Sequence, residues 1–175
     1  MEGCRGRFEV RTERSALLIE ARSNVGPIAF GTTSLEGFVE LRTRGGAVDL
    51  DGEAPVAVLQ FDMTTFSSGN SLYDAELFHR IDARRHPTAA LELTEARRIG
   101  SSDRFGVEGD LTFHGITRQI SGAVSVKIDD DEVLHVAGEN RFDIRDFGVA
   151  VPTVLMLRIY PDVRIELQLE ARRTP

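Results

Sequence analysis

The stretch from residue 109 to residue 120, GDLTFHGITRQI, constrains the possible fold more than any other part of the chain. In its first half, the apolar residues Leu111 and Phe113 alternate with polar residues. A period of two is typical of a β-strand that has one buried face. The pair His114-Gly115 follows, and apolar alternation resumes behind it, which predicts two antiparallel strands joined by a tight turn. The two predicted strands span residues 105–113 and 116–128.

The same alternation recurs along the rest of the chain. It predicts further strands over residues 6–12, 16–22, 35–43, 56–63, 88–97, 132–144 and 162–170. Residues 72–82 instead carry apolar side chains at helical spacing, behind Asn70 or Ser71 as an N-cap. Residues 24–33 contain Gly26-Pro27, and this turn signal predicts a loop.

These predictions describe an all-β chain with roughly eight long strands, short turns and one short helix. The length of 175 residues fits a single domain over residues 1–175 and can bury a sizeable core. A long antiparallel sheet in a small domain has to close or fold over, because its edges would otherwise be exposed. We therefore expect an eight-stranded antiparallel barrel with one short α-helix, and alternation alone leaves a β-sandwich open as the alternative.

Charge and composition exclude several classes of function. The net charge of −7 argues against a broad nucleic-acid interface, which requires a basic surface. No apolar run approaches the roughly 20 residues that cross a bilayer, so stable membrane insertion is not expected. The first residues, MEGCRGR, contain no apolar signal segment, and we expect the chain to be cytoplasmic.

The alternation turns a set of aliphatic and phenylalanine side chains toward the interior of the predicted barrel. Such a set either forms a packed core or lines a tunnel for an apolar chain, and a filled barrel would work only through its surface. Inward glycines such as Gly109, Gly122 and Gly138 leave room for a tunnel, and Gly37 falls on the same face. In the tunnel interpretation, the ligand-binding residues are Leu17, Ile19, Val39, Leu59, Phe61, Leu91, Leu93, Leu111, Phe113, Val124, Val126, Phe142, Ile165 and Leu167.

His114 is the candidate catalytic residue. An enzyme that acts on a small amphipathic substrate could use it as an acid or base together with Asp110 or Asp74. However, no serine or cysteine has a spacing that suggests a nucleophile, and the four histidines show no zinc-binding pattern. We therefore expect no catalytic residue, no metal site and no cofactor, and a structural role for His114 at the turn.

Five motifs occur in order along the chain. They are Ser68-Gly69-Asn70, Asp74 with Leu77, His86-Pro87-Thr88, GDLTFHGITRQI and DIRDFG at residues 143–148. In this order and spacing they resemble the YceI-like family of lipocalin-like, polyisoprenoid-binding proteins, and the match covers nearly the whole chain. The resemblance favours the barrel over the sandwich. It also implies non-enzymatic binding, storage or transport of a long apolar lipid, most readily an isoprenoid.

The chain departs from the family pattern at two places. Asp74 is retained, but the Arg and His that accompany it in the family are absent, and we expect Asp74 to pair with an arginine such as Arg118 or Arg145. Residues 149–161 are more apolar than the corresponding connection in relatives. Exposed apolar segments mark contact surfaces, and this one could contact the barrel's own mouth, a second subunit or a membrane. We expect a homodimer in which this segment and Phe30 help to close the mouth of the tunnel, because the net negative charge disfavours a membrane contact.

Overall fold

The computed structural model describes residues 2–151, 153–154 and 157–175. Over these residues, helix α1 spans Ser71–Arg80, and short 3-10 helices span Thr12–Arg14, Met63–Thr65 and Ile144–Phe147. The strands are β1 (Cys4–Val10), β2 (Ala16–Ser23), β3 (Gly26–Thr32), β4 (Leu35–Arg44), β5 (Ala47–Asp49), β6 (Val56–Asp62), β7 (Thr88–Arg98), β8 (Arg104–Phe113), β9 (Ile116–Ile128), β10 (Val133–Asp143), β11 (Thr153–Val154) and β12 (Leu157–Arg173).

Eight of these strands close into a barrel. The hydrogen-bonded order is β1-β4-β6-β7-β8-β9-β10-β12, and β12 pairs back onto β1, with Phe8 opposite Arg173. Every neighbouring pair in this ring is antiparallel. Closure gives each strand of the ring two partners, so none of these eight strands lies at an edge. The prediction of an eight-stranded antiparallel barrel is therefore confirmed, and the sandwich alternative is wrong.

The hairpin formed by β2 and β3 branches from this ring. One edge of β12 pairs with β10 over residues 162–172, whereas its other edge is shared between β1 and β2. The prediction of a loop over residues 24–33 is wrong, because Gly26–Thr32 forms a strand on β2. The turn lies just before Gly26, and Ile28 and Phe30 are each 6% exposed, so burial of the two side chains stabilises the strand. Pro27 is tolerated because β3 lies at an edge, where a missing N–H costs least.

Helix α1 lies at the end of the barrel where β6 ends and β7 begins. Its N-cap is Asn70, whose side-chain oxygen accepts hydrogen bonds from the backbone N–H groups of Leu72 (3.0 Å) and Tyr73 (3.3 Å). Leu77 and Phe78 pack against the buried core, which extends from this end into the barrel. The predicted helix and cap are confirmed, with the helix starting one residue earlier than expected.

Two backbone features shape the central strands. The turn between β8 and β9 has φ values of 54° at His114 and 73° at Gly115, as a two-residue type I′ hairpin requires. On β7 the pairing with β8 shifts between Leu93 and Glu95, which marks a bulge. Because of this shift, the inward positions change from odd to even residue numbers: Leu93 faces the cavity before the bulge and Ala96 faces it after the bulge.

The last strand is longer than the alternation predicts. β12 runs over Leu157–Arg173, and Pro161 lies inside it, where the register with β2 slips between Ile159 and Val163. A proline fits such an irregularity because no ladder hydrogen bond is required from it there. Part of the apolar segment 149–161 forms strands β11 and β12. Leu155 and Met156 lie outside the described residues.

Candidate functional site

The barrel encloses an apolar cavity of about 260 Å³. The structure places all fourteen sequence-predicted ligand-binding residues on its wall. Phe66 and Met63 also line the cavity, but they come from the 3-10 segment after β6 and carry no period-two signal. Further lining residues follow the same alternation as the predicted ones and were missing from the predicted set: Leu41, Ala57, Ala89, Phe105, Val107, Leu134, Val136 and Leu169.

Strand register explains why these side chains meet. Leu59 on β6 lies opposite Leu91 on β7, and Leu91 lies opposite Leu111 on β8. Paired residues on neighbouring strands point to the same face of a sheet, so these leucines form one row across the wall. The same relation places Ile19 opposite Ile165 where β2 meets β12. The inward apolar side chains of neighbouring strands therefore form one continuous surface, because the strand register places them side by side.

Gly37 takes a different role from the inward glycines of the other strands. Its φ is +137°, and a Cβ there would run into the carbonyl oxygen of Val58 and lie 3.0 Å from the Cα of Leu59. Gly37 thus allows β4 and β6 to approach closely. Gly109, Gly122 and Gly138 lie on the cavity wall as the alternation predicts.

Four polar residues of the lining lie near one another in the wall: Glu108, Ser121, Glu139 and Asn140. The alternation turns only the side chain of Asn140 toward the cavity, because the other three occupy outward positions on their strands. The ladder between β9 and β10 ends there with the pair Glu139–Ala123. Beyond that pair, β9 remains paired with β8 and β10 remains paired with β12, so the two strands diverge. We call this point of divergence, formed by residues 121–123 and 138–140, the fork.

Asn140 joins the two strands at the fork. Its Nδ2 donates a hydrogen bond to the carbonyl oxygen of Ser121 at 2.9 Å, and its Oδ1 accepts one from the backbone N–H of Arg141 at 2.8 Å. Farther along the divergence, the buried ring of Phe147 contacts Phe142 and Phe113, with ring centroids 5.4 and 5.6 Å apart. Phe147 therefore fills the space between the diverging strands near their ends.

His114 holds Phe147 in place. Its Nδ1 lies 2.9 Å from the carbonyl oxygen of Phe147, and because a carbonyl only accepts, Nδ1 donates the proton. The ring of His114 also meets the edge of His86, with the centroids 5.2 Å apart. This bond ties the β8–β9 turn to the 3-10 helix Ile144–Phe147, as the expected structural role requires.

The prediction that Asp74 pairs with an arginine is wrong. The carboxylate of Asp74 accepts hydrogen bonds from the backbone N–H (2.8 Å) and the hydroxyl (2.6 Å) of Ser68. The Ser68 hydroxyl is the main cause that lowers the pKa of Asp74 below its usual value. Arg145 is bound to Asp143 at 2.6 Å, and the Nε of Arg118 donates to a backbone carbonyl. Asp74 therefore fixes the loop that precedes α1. The sequence around Asp74 did not indicate that Ser68 would be its partner.

Comparison with known proteins identifies the family. The model of the YceI-like domain matches residues 9–171, which is most of the chain. This chain belongs to the YceI-like family. Among curated protein sequences, none matches it significantly.

Solved structures carry the same fold as this YceI-like domain. BcnA from Burkholderia cenocepacia superposes with a TM-score of 0.77 at 17% identity, covering 92% of this chain and 98% of BcnA. A polyisoprenoid-binding domain from Saccharophagus degradans gives 0.73 at 12% identity, with 95% and 98% covered. The YceI protein of Campylobacter jejuni gives 0.63 at 13% identity, with 81% and 82% covered. At these identities the likeness concerns the fold.

Within the described residues, this YceI-like domain brings no three His, Cys, Asp or Glu side chains together in a way that could hold a metal ion. None of the helices in the same part of the chain is long and apolar enough to cross a membrane. The chemistry that the lining can offer is therefore apolar contact along the cavity and hydrogen bonding at the fork.

Proposed function

We propose that this YceI-like domain binds one long apolar lipid, most readily an isoprenoid, inside its barrel and stores or transports it without catalysing a reaction. The observation that carries the proposal is the cavity of about 260 Å³, whose wall consists almost entirely of aliphatic and phenylalanine side chains. Apolar cavities of about 150 Å³ already stay dry and take up apolar ligands. The related domain of Saccharophagus degradans, which is described as polyisoprenoid-binding, supports the choice of ligand.

The energetics of an apolar cavity suit a carrier. Each CH₂ group that leaves water for an apolar site gains about 0.8 kcal/mol, so a long chain in water would bind strongly. A chain that leaves a membrane gains almost nothing, because it was already surrounded by hydrocarbon. The cavity therefore exchanges its ligand with a bilayer on nearly even terms, and both loading and release are possible.

The contacts of His114 support a binding protein over an enzyme. Its Nδ1 is engaged by the backbone of Phe147, and its ring edge faces His86 instead of a serine or cysteine. Asp74, the other candidate acid or base, is held by Ser68. The contacts described for His114 involve no serine or cysteine, and the Ser68 hydroxyl that binds Asp74 anchors the loop before α1.

We further propose that the domain forms a homodimer through the apolar segment 149–161. Within this segment Tyr160 is 40% exposed, and Val25 at the tip of the β2–β3 hairpin is 68% exposed. Asn24 anchors the hairpin tip there through two hydrogen bonds to the backbone of Arg158. Phe30 on the same hairpin is 6% exposed and belongs to the hydrophobic core. In analytical ultracentrifugation we expect the wild type to sediment as a dimer and a Leu155→Asp, Leu157→Asp double variant as a monomer. A monomeric wild type would refute the dimer.

The central test asks whether a lipid fills the cavity. Organic-solvent extraction of the purified protein followed by mass spectrometry should release a long-chain lipid. In addition, Leu91→Trp places a bulky ring in the leucine row, and we expect it to weaken the capture of a fluorescent prenyl probe about tenfold with an unchanged far-UV CD spectrum.

The matched control is Glu92→Trp, which introduces the same ring one position along β7 on the exposed outer face. It should leave probe capture unchanged. Equal capture by wild type and Leu91→Trp would contradict binding inside the barrel.

A further inference from the structure

Asn140 is an exception within the alternation of β10. The side chains of this strand that face the cavity are Leu134, Val136, Asn140 and Phe142, with Gly138 between them. Of these, Asn140 alone is polar. Placing an amide among apolar side chains costs free energy unless the amide is hydrogen-bonded, so its position in the fold requires an explanation.

The hydrogen bonds of Asn140 leave part of the amide unused. A side-chain amide offers two N–H donors and two acceptor lone pairs. One donor goes to the carbonyl oxygen of Ser121 and one lone pair to the backbone N–H of Arg141. One N–H and one lone pair therefore remain available at the point where the β9–β10 ladder has ended.

At the same point, the wall consists of two glycines and the side chains that pack over them. A Cβ on Gly122 would lie 3.3 Å from the Nδ2 of Asn140, and a Cβ on Gly138 would lie 2.8 Å from the Cγ1 of Val124. An outer groove of about 690 Å³ lies on the other side of this wall. Five residues line both the inner cavity and the outer groove: Ala123, Gly138, Glu139, Asn140 and Leu167. The cavity and the outer surface thus meet at the fork.

We propose that the polar end of the bound lipid lies at the fork, hydrogen-bonded to Asn140, while its apolar chain occupies the cavity. This inference rests on the proposed function. An isoprenoid alcohol carries one polar end, and Asn140 at the fork is the polar side chain that the alternation turns toward the cavity. Asn140 would thus be a specificity-determining residue of the site.

The charges at the fork favour an uncharged polar end, such as an alcohol or a carbonyl. Around the fork, the three arginines Arg104, Arg141 and Arg164 are matched by the three glutamates Glu108, Glu139 and Glu166, so their formal charges cancel. The nearby Arg164 already binds Glu139 at 2.8 Å and Glu166 at 3.1 Å. A diphosphate requires a surplus of cationic donors, and the fork has no such surplus.

The experiment compares three probes that share an isoprenoid chain and differ in their ends: geranylgeraniol, the hydrocarbon squalene and geranylgeranyl diphosphate. Each is titrated against wild type and Asn140→Leu in displacement of a fluorescent prenyl probe. We expect Asn140→Leu to bind geranylgeraniol about fivefold more weakly, as the loss of one hydrogen bond predicts, and squalene equally well. The matched control is Gln168→Leu, which removes an exposed amide from the outer groove and should change neither affinity.

The outcomes separate this inference from the proposed function. If wild type captures none of the probes, the proposed function itself fails. If Asn140→Leu binds geranylgeraniol as well as wild type does, the assignment of the polar end to the fork is wrong although lipid binding stands. If the diphosphate binds more tightly than the alcohol in an Asn140-dependent manner, the uncharged end is wrong.

A second measurement needs no variant and so does not depend on the folding of Asn140→Leu. Geranylgeraniol that carries a diazirine beside its hydroxyl is photolysed in the wild-type complex, and the labelled peptides are identified by mass spectrometry. We expect label on the peptides that contain Ser121 and Asn140. Label confined to α1 would place the polar end away from Asn140 and overturn the proposal.

Discussion

Leu59, Leu91 and Leu111 form a continuous row across β6, β7 and β8, whereas β9 and β10 carry Gly122 and Asn140 at the place where they diverge. On the leucine side, Leu59 is 5% exposed and Leu111 is 8% exposed, with the half-buried Leu91 between them. On the other side, the inward residues of β9 are only half-buried. Both walls obey the same period-two pattern, so alternation fixes the direction of a side chain but does not determine whether the wall closes.

Side-chain size accounts for the difference. Large aliphatic side chains on neighbouring strands bury one another and hold the strands in register. A glycine contributes no such contact, and the two glycines of the fork face the ends of other side chains instead. We refer below to the wall of β6–β8 as the closed wall and to that of β9–β10 as the open wall.

The largest expected effect concerns the closed wall. Leu59→Ala should lower the free energy of unfolding by about 3 kcal/mol, because it removes a buried side chain from a packed row. Val124→Ala on the open wall should cost only about 1 kcal/mol, since its side chain is half-buried. Urea denaturation of both variants measures the two costs. If both variants lost a similar free energy of unfolding, the closed and open walls would not differ in packing.

A smaller loss of unfolding free energy is expected at Phe147, which fills the space beside the open wall. His114→Ala should cost about 1.5 kcal/mol, since it leaves the carbonyl of Phe147 without its donor and places alanine at a positive φ. His114→Asn removes the same donor but favours the type I′ turn, so it should cost less. Thermal denaturation ranks the two variants. We expect both to retain probe capture, and loss of capture in folded His114→Asn would contradict a purely structural role.

The smallest effect lies at the turn that joins β9 to β10 below the fork. Asp129 accepts hydrogen bonds from His135 (3.0 Å) and from the backbone N–H of Val133 (2.9 Å). The bond from His135 is the main cause that lowers the pKa of Asp129 below its ordinary value of 3.8. A lowered carboxyl pKa stabilises the fold above the unfolded-state value, and this contribution is lost as pH falls through the folded-state pKa.

The difference in melting temperature between wild type and Asp129→Asn should therefore be constant above about pH 5 and shrink as pH falls below 3.8. Thermal melts between pH 7 and pH 3 measure it. A direct NMR titration of the Asp129 carboxyl serves as the control, and a pKa at or above 3.8 would contradict the assignment.

Much of the fold and of the cavity wall follows from the sequence. Alternation is a property of consecutive residues, so it can be read without knowing which strands pair. It predicts the central strands, and it predicts the inward direction of residues as far apart as Leu17 and Leu167, both of which line the cavity. The capping asparagine and the His114-Gly115 turn are equally local, because each depends on groups only a few residues away.

The tertiary structure alone decided the features that depend on distant partners. The sequence from Gly26 to Thr32 contains turn residues, yet burial of Ile28 against the core makes it a strand. Pro161 is accommodated because β12 is irregular where it meets β2. The fork exists because β9 and β10 each keep a different partner beyond Glu139. Strand pairing depends on which contacts between residues far apart in the chain are the most stable. A local sequence pattern does not contain that information.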